Sequence, residues 1–182
     1  MQSPTRSTQR GFTLIELMVV VAIIAVLAGL MFGVAPRPYD ANAEVIASQI
    51  NSTFIYAHTR AVSTRKVHRV VFDTDTSTDE QYVEVDVAPS TGMSYSGTGW
   101  LLLEVKRVPK NTIIWSAEDS AVTSTGATPA QDTNLPGYYV DFKPDGSATA
   151  STIYITDRNS TVKQYRVLVY HVTGSSYARE SW

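Results

Sequence analysis

The chain has 182 residues, which leaves room for one membrane segment and one globular domain of ordinary size. Its formal net charge of −2 does not indicate nucleic acid or an anionic surface as a general partner. The sequence contains no cysteine, which excludes a disulfide framework, a thiolate metal site and a cysteine nucleophile. A folded domain of this chain therefore depends on its apolar core and its hydrogen bonds for stability.

The N-terminal segment is a short polar stretch followed by a long apolar run. Residues 1–11 carry Arg6 and Arg10 and no acidic residue, and residues 12–35 are almost wholly apolar. At ~1.5 Å per residue the run predicts a helix of roughly 36 Å, enough to cross a hydrocarbon core of about 30 Å. Basic residues beside an apolar span favour a cytoplasmic N-terminus and an exported C-terminal part. Glu16 lies inside the run, where a charge costs on the order of 2.5 to 3.5 kcal/mol.

Three interpretations of this segment compete. A secretory signal peptide cut after Ala28 has a suitable small-x-small site, but its apolar region would be long and would contain Glu16. A plain membrane anchor explains the length of the run but not the carboxylate. A type IV prepilin leader is the third interpretation, and it depends on the residues that precede and include Glu16.

Residues 11–17, Gly-Phe-Thr-Leu-Ile-Glu-Leu, resemble the prepilin signature shared by type IV pilins and type II secretion pseudopilins. The resemblance implies that a prepilin peptidase cuts between Gly11 and Phe12 and methylates the new amine of Phe12. Glu16 is then the fifth residue of the mature chain, one helical turn from that amine. Pairing of Glu16 with the amine of a neighbouring subunit would set axial register in a filament, because an unpaired buried charge is costly. A glutamate solvated at the headgroup level is the alternative.

The resemblance also implies a set of partners and a division of the chain. The partners are the prepilin peptidase, the bacterial inner membrane and other pilins or pseudopilins in a filament. Pro36 and Pro38 interrupt the first helix, because proline donates no backbone hydrogen bond and disfavours helical dihedrals in the residue before it. The predicted parts are a leader peptide (1–11), a transmembrane and filament-core helix (12–35), a proline-containing break (36–41) and an exported, periplasmic head (42–182).

The head begins with a predicted amphipathic helix that runs to about residue 64. Asn42 is a suitable N-cap, and Glu44 lies in the first turn, where the helix dipole favours an acid. Apolar side chains then recur at helical spacing, namely Ile46, Ile50, Phe54, Ala57 and Ala61. One face of this helix is therefore expected to cover a sheet.

From residue 68 onwards the apolar pattern has a period of two, which predicts seven strands. They are residues 68–72, 81–87, 100–108, 112–116, 138–142, 152–156 and 164–172. The loop from Ala117 to Gly137 is long for a compact domain and indicates either partner binding or disorder. The predicted fold class is α+β, with a long N-terminal helix, membrane-spanning in its first half and amphipathic in its second, packed on antiparallel sheet.

The C-terminal half carries a second pattern. A strand ends in Phe142, a Pro-Asp-Gly turn follows at Pro144, Asp145 and Gly146, and two strands lead to a closing Thr173-Gly174. This pattern resembles the head of minor pseudopilins of the GspH and FimT type. The resemblance implies a non-enzymatic subunit of a type II secretion pseudopilus, with a minor pilin of a type IV pilus as the alternative.

No catalytic or cofactor-binding pattern is present in the sequence. His58, His68 and His171 show no metal-ligand spacing, and there is no hydrolase or phosphate-binding motif. His58 falls on a predicted helix and His171 in a predicted strand, which favours structural or surface roles. We therefore expect no enzyme activity, no cofactor and no metal.

One acidic stretch resembles a calcium loop in its spacing. Asp73, Asp75, Ser77, Asp79 and Glu84 fall at EF-hand positions one, three, five, seven and twelve. Thr78, however, stands where the sharp turn of that loop needs glycine, and the flanks predict strands rather than helices. The stretch therefore favours a solvated hairpin turn over a metal site.

Two basic clusters raise nucleic acid as an alternative partner. The first cluster is Arg60, Arg65, Lys66 and Arg69, and the second is Arg158, Lys163, Arg166 and Arg179. FimT-type relatives take up DNA through a basic C-terminal region, so the resemblance implies the second cluster as a DNA-binding candidate. Without Arg6 and Arg10 the mature chain keeps 13 of its 15 basic residues and all 17 acidic ones, a net charge of −4 that opposes DNA.

Overall fold

A computed structural model of the chain describes residues 14–34, 42–124, 126, 129–131, 135–158 and 160–182. Two helices, α1 (Leu14–Val34) and α2 (Ala43–Thr64), precede eight strands. The strands are β1 (His68–Asp75), β2 (Glu80–Val87), β3 (Leu101–Arg107), β4 (Thr112–Glu118), β5 (Tyr138–Phe142), β6 (Ser151–Asp157), β7 (Ser160–Val169) and β8 (Ser176–Glu180). The chain forms two compact units, residues 1–38 with α1 and residues 39–182 with all the other elements.

The ends of α2 are fixed by side-chain and backbone geometry. Asn42 precedes the helix in an extended conformation, and its side-chain oxygen accepts a hydrogen bond from the Val45 N–H at 3.2 Å. The Ala43 N–H donates to the Asp157 carboxylate at 2.8 Å. Arg65 ends the helix in the left-handed conformation at φ 56°. The predicted N-cap and the predicted extent of this helix are confirmed.

The buried face of α2 carries the core of the head. The Phe54 ring lies 6.1 Å from the Phe72 ring of β1 and 5.6 Å from the Phe142 ring of β5. All three rings are fully buried, and each contributes about 1.5 to 3 kcal/mol through removal from water. The remaining buried residues of α2 are Ala43, Ile46, Ala47, Ile50, Thr53, Ala57 and Ala61.

The strands form two antiparallel four-stranded sheets. Sheet A has the order β3-β2-β1-β5 and sheet B the order β4-β6-β7-β8, and α2 contacts strands of both. The inward side chains of sheet A, such as Val70 and Val85, and those of sheet B, such as Ile153 and Val167, belong to one buried cluster with α2. The predicted α+β fold with a helix on antiparallel sheet is confirmed for the head.

All seven predicted strands are present, but the last one ends early and an eighth follows it. The prediction of a strand continuing to residue 172 is wrong, because β7 ends at Val169 and the chain turns. The Gly174 N–H donates to the Tyr170 carbonyl at 2.9 Å, which closes this turn. The sequence of β8 gives little signal of a strand, because only Ser176 of its five residues is buried.

The residues of the second sequence pattern meet in space against α2. Nε2 of His58 donates to the Gly146 carbonyl at 3.1 Å. Gly174 has a φ of 58°, and a Cβ there would lie 2.5 Å from the Gly146 oxygen and 2.6 Å from Cδ2 of His58. The turn after β5 and the turn after β7 are therefore held against the helix at one point, where only glycine fits at position 174.

We expect Gly174→Ala to lower the free energy of unfolding by about 2 to 5 kcal/mol, the sum of left-handed strain and overpacking. Gly137→Ala is the matched control, since Gly137 has a φ of 86° but a Cβ added there would meet no atom within 4 Å. This control carries only the conformational cost of about 1 to 2 kcal/mol. Urea unfolding of the full chain measures both values. Equal losses in the two variants would show that steric overlap at position 174 contributes nothing.

Candidate functional site

The helix α1 holds Glu16 in its first turn, and from Leu14 to Leu27 it exposes apolar side chains on every side. Leu14, Ile15 and Leu17 are 79%, 71% and 61% exposed. Within the part of the chain that the structure describes, no helix is long and apolar enough to cross a membrane. Three predicted features lie outside the described residues. They are the leader (1–11), which ends in Gly11, the residue Phe12 that follows it, and the proline break (36–41).

The chemistry available to α1 is association rather than catalysis. A helix that is apolar on every side has no polar face to turn to water and is stabilised by apolar surroundings. A carboxylate in the first turn, such as Glu16, interacts favourably with the positive end of the helix dipole. The described part of this helix can therefore pack against other apolar helices while it keeps one anionic group at its N-terminal end.

The acidic stretch between β1 and β2 is a hairpin turn, as predicted. The Asp75 carboxylate accepts hydrogen bonds from the Ser77 N–H at 2.9 Å and the Ser77 hydroxyl at 2.6 Å, which lowers the pKa of Asp75. Asp79 closes the turn with a φ of 54°. Among the described residues, no group of three or more histidine, cysteine, aspartate or glutamate side chains is placed to hold a metal ion.

The three histidines lie apart, and a ring nitrogen of each forms a hydrogen bond with a backbone carbonyl. Buried His68 bonds through Nδ1 to the Lys66 carbonyl at 3.1 Å. Its pKa is lowered by burial, to which the charges of Arg60 and Lys66 add, while the bond to the carbonyl acts in the opposite direction. His171 bonds to the Ala148 carbonyl, but the prediction that it lies in a strand is wrong, since it occupies the turn after β7.

Two members of the first basic cluster, Lys66 and Arg69, form contacts within the head, while Arg60 and Arg65 are exposed. Arg65 ends α2, and Nζ of Lys66 donates to the Pro89 carbonyl at 3.1 Å. Arg69 forms two hydrogen bonds with the Asp141 carboxylate, at 2.7 and 2.9 Å. The charged groups of Lys66 and Arg69 therefore act in the fold.

Arg166 of the second basic cluster is fully buried on β7. Its guanidinium donates to the backbone carbonyls of Ser124 and Thr123, the latter at 3.2 Å. The expectation that Arg166 belongs to a DNA-binding surface is therefore wrong, because its donors face the loop after β4 and not solvent. Its role is to hold that loop on the outer face of sheet B.

The other three members of that cluster lie on different elements of the head. Arg158 lies in the turn after β6, with a guanidinium nitrogen 3.9 Å from the Asp79 carboxylate. Lys163 and Arg179 are exposed, on β7 and on the outermost strand β8. The predicted cluster is therefore spread over different elements of sheet B and its turns.

The loop after β4 is pinned to sheet B in its described part. The Val122 N–H donates to the Thr152 hydroxyl at 2.8 Å, and this hydroxyl donates to the Ser120 carbonyl at 2.6 Å. Nε1 of Trp115 donates to the Pro129 carbonyl at 2.9 Å. This loop therefore covers the outer face of β6, which explains why both faces of that strand are buried.

The outer face of sheet A carries a stack that sequence periodicity did not reveal. The Arg69 guanidinium lies 4.2 Å from the centre of the Trp100 ring and 3.7 Å from that of Tyr139. Tyr95 meets Trp100 edge to face at 5.0 Å. The available signal was the outward position of Arg69 and Tyr139 on their strands, but their adjacency depends on the pairing of β1 with β5.

Comparisons with known families identify the class of protein first. The family model described as "Prokaryotic N-terminal methylation motif" matches residues 6–32. The class is that of pilin-like subunits, with this motif ahead of an α+β head. The model of "Type II transport protein GspH" matches residues 47–173, more than half of the chain. The chain belongs to the GspH family, and the predicted resemblance to GspH-type minor pseudopilins is confirmed.

Two solved structures of one protein share the fold of the head. Two structures of the minor pseudopilin EpsH from the type 2 secretion system of Vibrio cholerae match at 12% identity, with TM-scores of 0.50 and 0.51. The matches cover 76% and 77% of this chain and 97% and 94% of those chains. The type IV minor pilin FimU of Pseudomonas aeruginosa matches at 13% identity and a TM-score of 0.42, over 75% of this chain and 90% of that chain. A search of curated proteins found no match.

The buried His68 generates a pH prediction for the head. Its pKa is lowered in the folded chain, so the unfolded chain binds more protons once the pH falls below about 6.5. The free energy of unfolding therefore decreases as the pH falls through that value, with a slope of up to about 1.4 kcal/mol per pH unit. We expect His68→Gln to flatten this slope.

Urea unfolding of the full chain at pH values between about 5 and 7 measures the slope across the unfolded histidine pKa. His171→Gln, which changes an exposed histidine, corrects for the general loss of a titratable side chain. A His68→Gln variant with the slope of the unmodified chain would show that His68 does not carry the pH dependence.

Proposed function

We propose that this chain is a minor pseudopilin, a non-enzymatic structural subunit of a type II secretion pseudopilus. The observation that carries the proposal is the presence in one chain of the N-terminal methylation motif over residues 6–32 and of the GspH family match over residues 47–173. The likeness of the head to EpsH, a minor pseudopilin of a type 2 secretion system, supports it at the level of the fold. The engaged histidines and turn carboxylates also favour a structural role.

Cleavage and methylation by prepilin peptidase are the first step that we propose for this chain. Prepilin peptidase cuts between Gly11 and Phe12 and methylates the amine of Phe12. The match of residues 6–32 to the methylation motif supports this assignment. The product begins with an apolar helix whose first residue carries a positive charge.

The proposed location is the bacterial inner membrane, crossed once, with the head in the periplasm. The apolar run of residues 12–35 and the basic residues Arg6 and Arg10 support this orientation. On assembly the helix leaves lipid for the core of a filament built from other pilins or pseudopilins. Its apolar side chains then exchange one apolar environment for another, so transfer requires little desolvation.

Glu16 is the proposed docking residue. In helical geometry residue 16 lies one turn from residue 12, so its carboxylate can pair with the amine of its own chain or of a neighbour. A subunit docked at the wrong axial stagger would leave the carboxylate without a cation in an apolar bundle. The pair thus penalises wrong register rather than adding large net stability.

Two substitutions separate processing from assembly. We expect Gly11→Val to stop cleavage, because the bulkier side chain occupies the position before the cut bond. We expect Glu16→Ala to be cleaved normally but to be lost from filaments, since the register contact is gone. Mass spectrometry of the N-terminus and recovery in sheared filament fractions are the two measurements.

Glu44→Ala is the matched control for Glu16→Ala, because it removes a carboxylate from the first turn of α2 instead of α1. It should be cleaved and incorporated like the unmodified chain. A mature N-terminus in Gly11→Val would refute the cleavage assignment. Normal recovery of Glu16→Ala in filaments would refute the docking role.

A clean deletion in the native host tests which machine the subunit serves. We expect loss of secreted proteins with surface pili and uptake of labelled DNA intact, because a pseudopilus drives secretion. The measurements are the secreted proteome, the pili on the cell surface and the DNA taken up. Intact secretion with lost pili or lost DNA uptake would assign the chain to a type IV pilus.

A further inference from the structure

The outermost strand of sheet A exposes apolar side chains on both of its faces. β3 pairs with β2 on one side, and within the described residues no strand lies on its other side. We call the side chains of Leu101, Leu102, Leu103 and Val105 the β3 surface; they are 54%, 56%, 41% and 45% exposed. An apolar strand with free backbone groups along one edge is a template for a further strand.

Two features of β3 are of the kind that protects an edge, namely a register shift at Leu103 and the charges of its C-terminal half. Glu104 and Lys106 lie 3.5 Å apart, and Nζ of Lys106 donates to the Thr53 hydroxyl of α2 at 3.1 Å, so Lys106 points inward. Both charges are on the inner side of β3, opposite buried Val85 and Val83, whereas Val105 lies on the outer face opposite Glu84. Leu101, Leu102 and Leu103 form a run without any charged side chain.

The face beside the β3 surface is acidic. The register places Asp86 opposite Leu102 and Glu84 opposite Val105. Val105, Glu84 and Asp73 line a shallow cavity of about 510 Å³. Burial and the nearby charges of Asp86 and Asp73 raise the pKa of Glu84. An added cation beside Glu84 would offset the repulsion among these carboxylates.

The cations already on this face are held by other carboxylates. Arg69 pairs with Asp141 at 2.7 Å, and Arg107 pairs with Glu80 at 2.9 Å. Among the described residues, Glu84 takes part in no ion pair. A partner with basic side chains therefore matches the charge of this surface, and one with acidic side chains is repelled.

We propose that the β3 surface binds an extended segment of a partner protein, which adds a strand to sheet A and places lysine or arginine side chains over Glu84. Neighbouring strands lie about 4.8 Å apart, so the added strand lies about 10 Å from β2. A basic side chain spans most of that distance with its alkyl stem along Val105 and its charge at Glu84. The apolar residues of the segment cover the three leucines.

The stack of Arg69, Trp100 and Tyr139 borders this surface on the outer face of sheet A. Trp100 directly precedes Leu101, and its ring is fixed on the Arg69 guanidinium. Aromatic and arginine side chains held in place lose little freedom on association, which is why they dominate the binding energy of many interfaces. The stack therefore adds a fixed wall beside the leucines.

The probe for the test is a fluorescent synthetic peptide of alternating valine and lysine, titrated into the full chain in detergent micelles. We expect saturable binding by fluorescence anisotropy. The same peptide with N-methylated central residues keeps its charges but cannot pair as a strand, and should not bind. A peptide of alternating valine and glutamate should not bind either. Equal binding of the N-methylated peptide, or no binding of the valine–lysine peptide, would overturn the proposal.

Matched variants of the chain locate the binding surface. Leu102→Lys should weaken binding of the peptide by about tenfold or more, which corresponds to at least about 1.4 kcal/mol. Tyr177→Lys is its control, since Tyr177 is 53% exposed on β8, the outermost strand of sheet B. Glu84→Gln should weaken binding and reduce its salt dependence, with Glu180→Gln on β8 as the control. Equal effects at the two edges would overturn the proposal.

Sedimentation of the full chain separates a partner segment from a second copy. We expect one chain per micelle at the concentrations used for the titration. Self-association that is abolished by Leu102→Lys but unchanged by Tyr177→Lys would assign the β3 surface to a second copy of this chain and overturn the proposal. Thermal unfolding of each variant confirms that the head is folded, and Glu84→Gln tests the same surface if Leu102→Lys does not fold.

Discussion

The head depends on the burial of one helix face by two sheets. Phe54 sits where α2 meets Phe72 and Phe142, and both sheets send side chains into the same buried cluster. Because the chain contains no cysteine, no covalent link supports this arrangement. The positions of the sheets, and hence of the edge β3 and the loop after β4, follow from how they pack on this helix. Apolar contact at one face thus sets the geometry of surfaces on the opposite side of each sheet.

The head and the helix α1 differ in how their polar and apolar groups are satisfied. The head is a folded unit in which the histidines, the carboxylates Asp75 and Asp141, and the cations Lys66 and Arg69 form hydrogen bonds. The helix α1 instead exposes apolar side chains and holds one carboxylate in its first turn. An assembled filament would satisfy the apolar side chains and the carboxylate at the same time. Both parts occur in this one chain, which belongs to the GspH family.

Much of the fold was predictable because it depends on local pattern. Asn42 and the spacing of Ile46, Ile50 and Phe54 give α2, and alternation gives seven strands. The strand β8 was not predicted, because four of its five residues are exposed and its pairing with β7 follows a turn at Gly174. The burial of Arg166 was not predictable either, because a loop distant in sequence supplies its hydrogen-bond acceptors. The Arg69 stack likewise depends on strand order, which periodicity does not determine. The motif around Glu16, in contrast, is contiguous and indicated the class of pilin-like proteins, whereas the GspH type was predicted from the pattern between Phe142 and Gly174.

The meeting point of His58, Gly146 and Gly174 restricts how the head can diverge. A side chain at position 174 would collide both with a turn and with the helix, so no single compensating change makes room for it. A chain that loses this glycine would have to reshape the turn after β5 and shorten the residue at position 58 together. Such double changes are rarely reached one substitution at a time. Among related sequences, these three positions should therefore vary as a group, and a search for covarying positions would find three residues that are far apart in the chain.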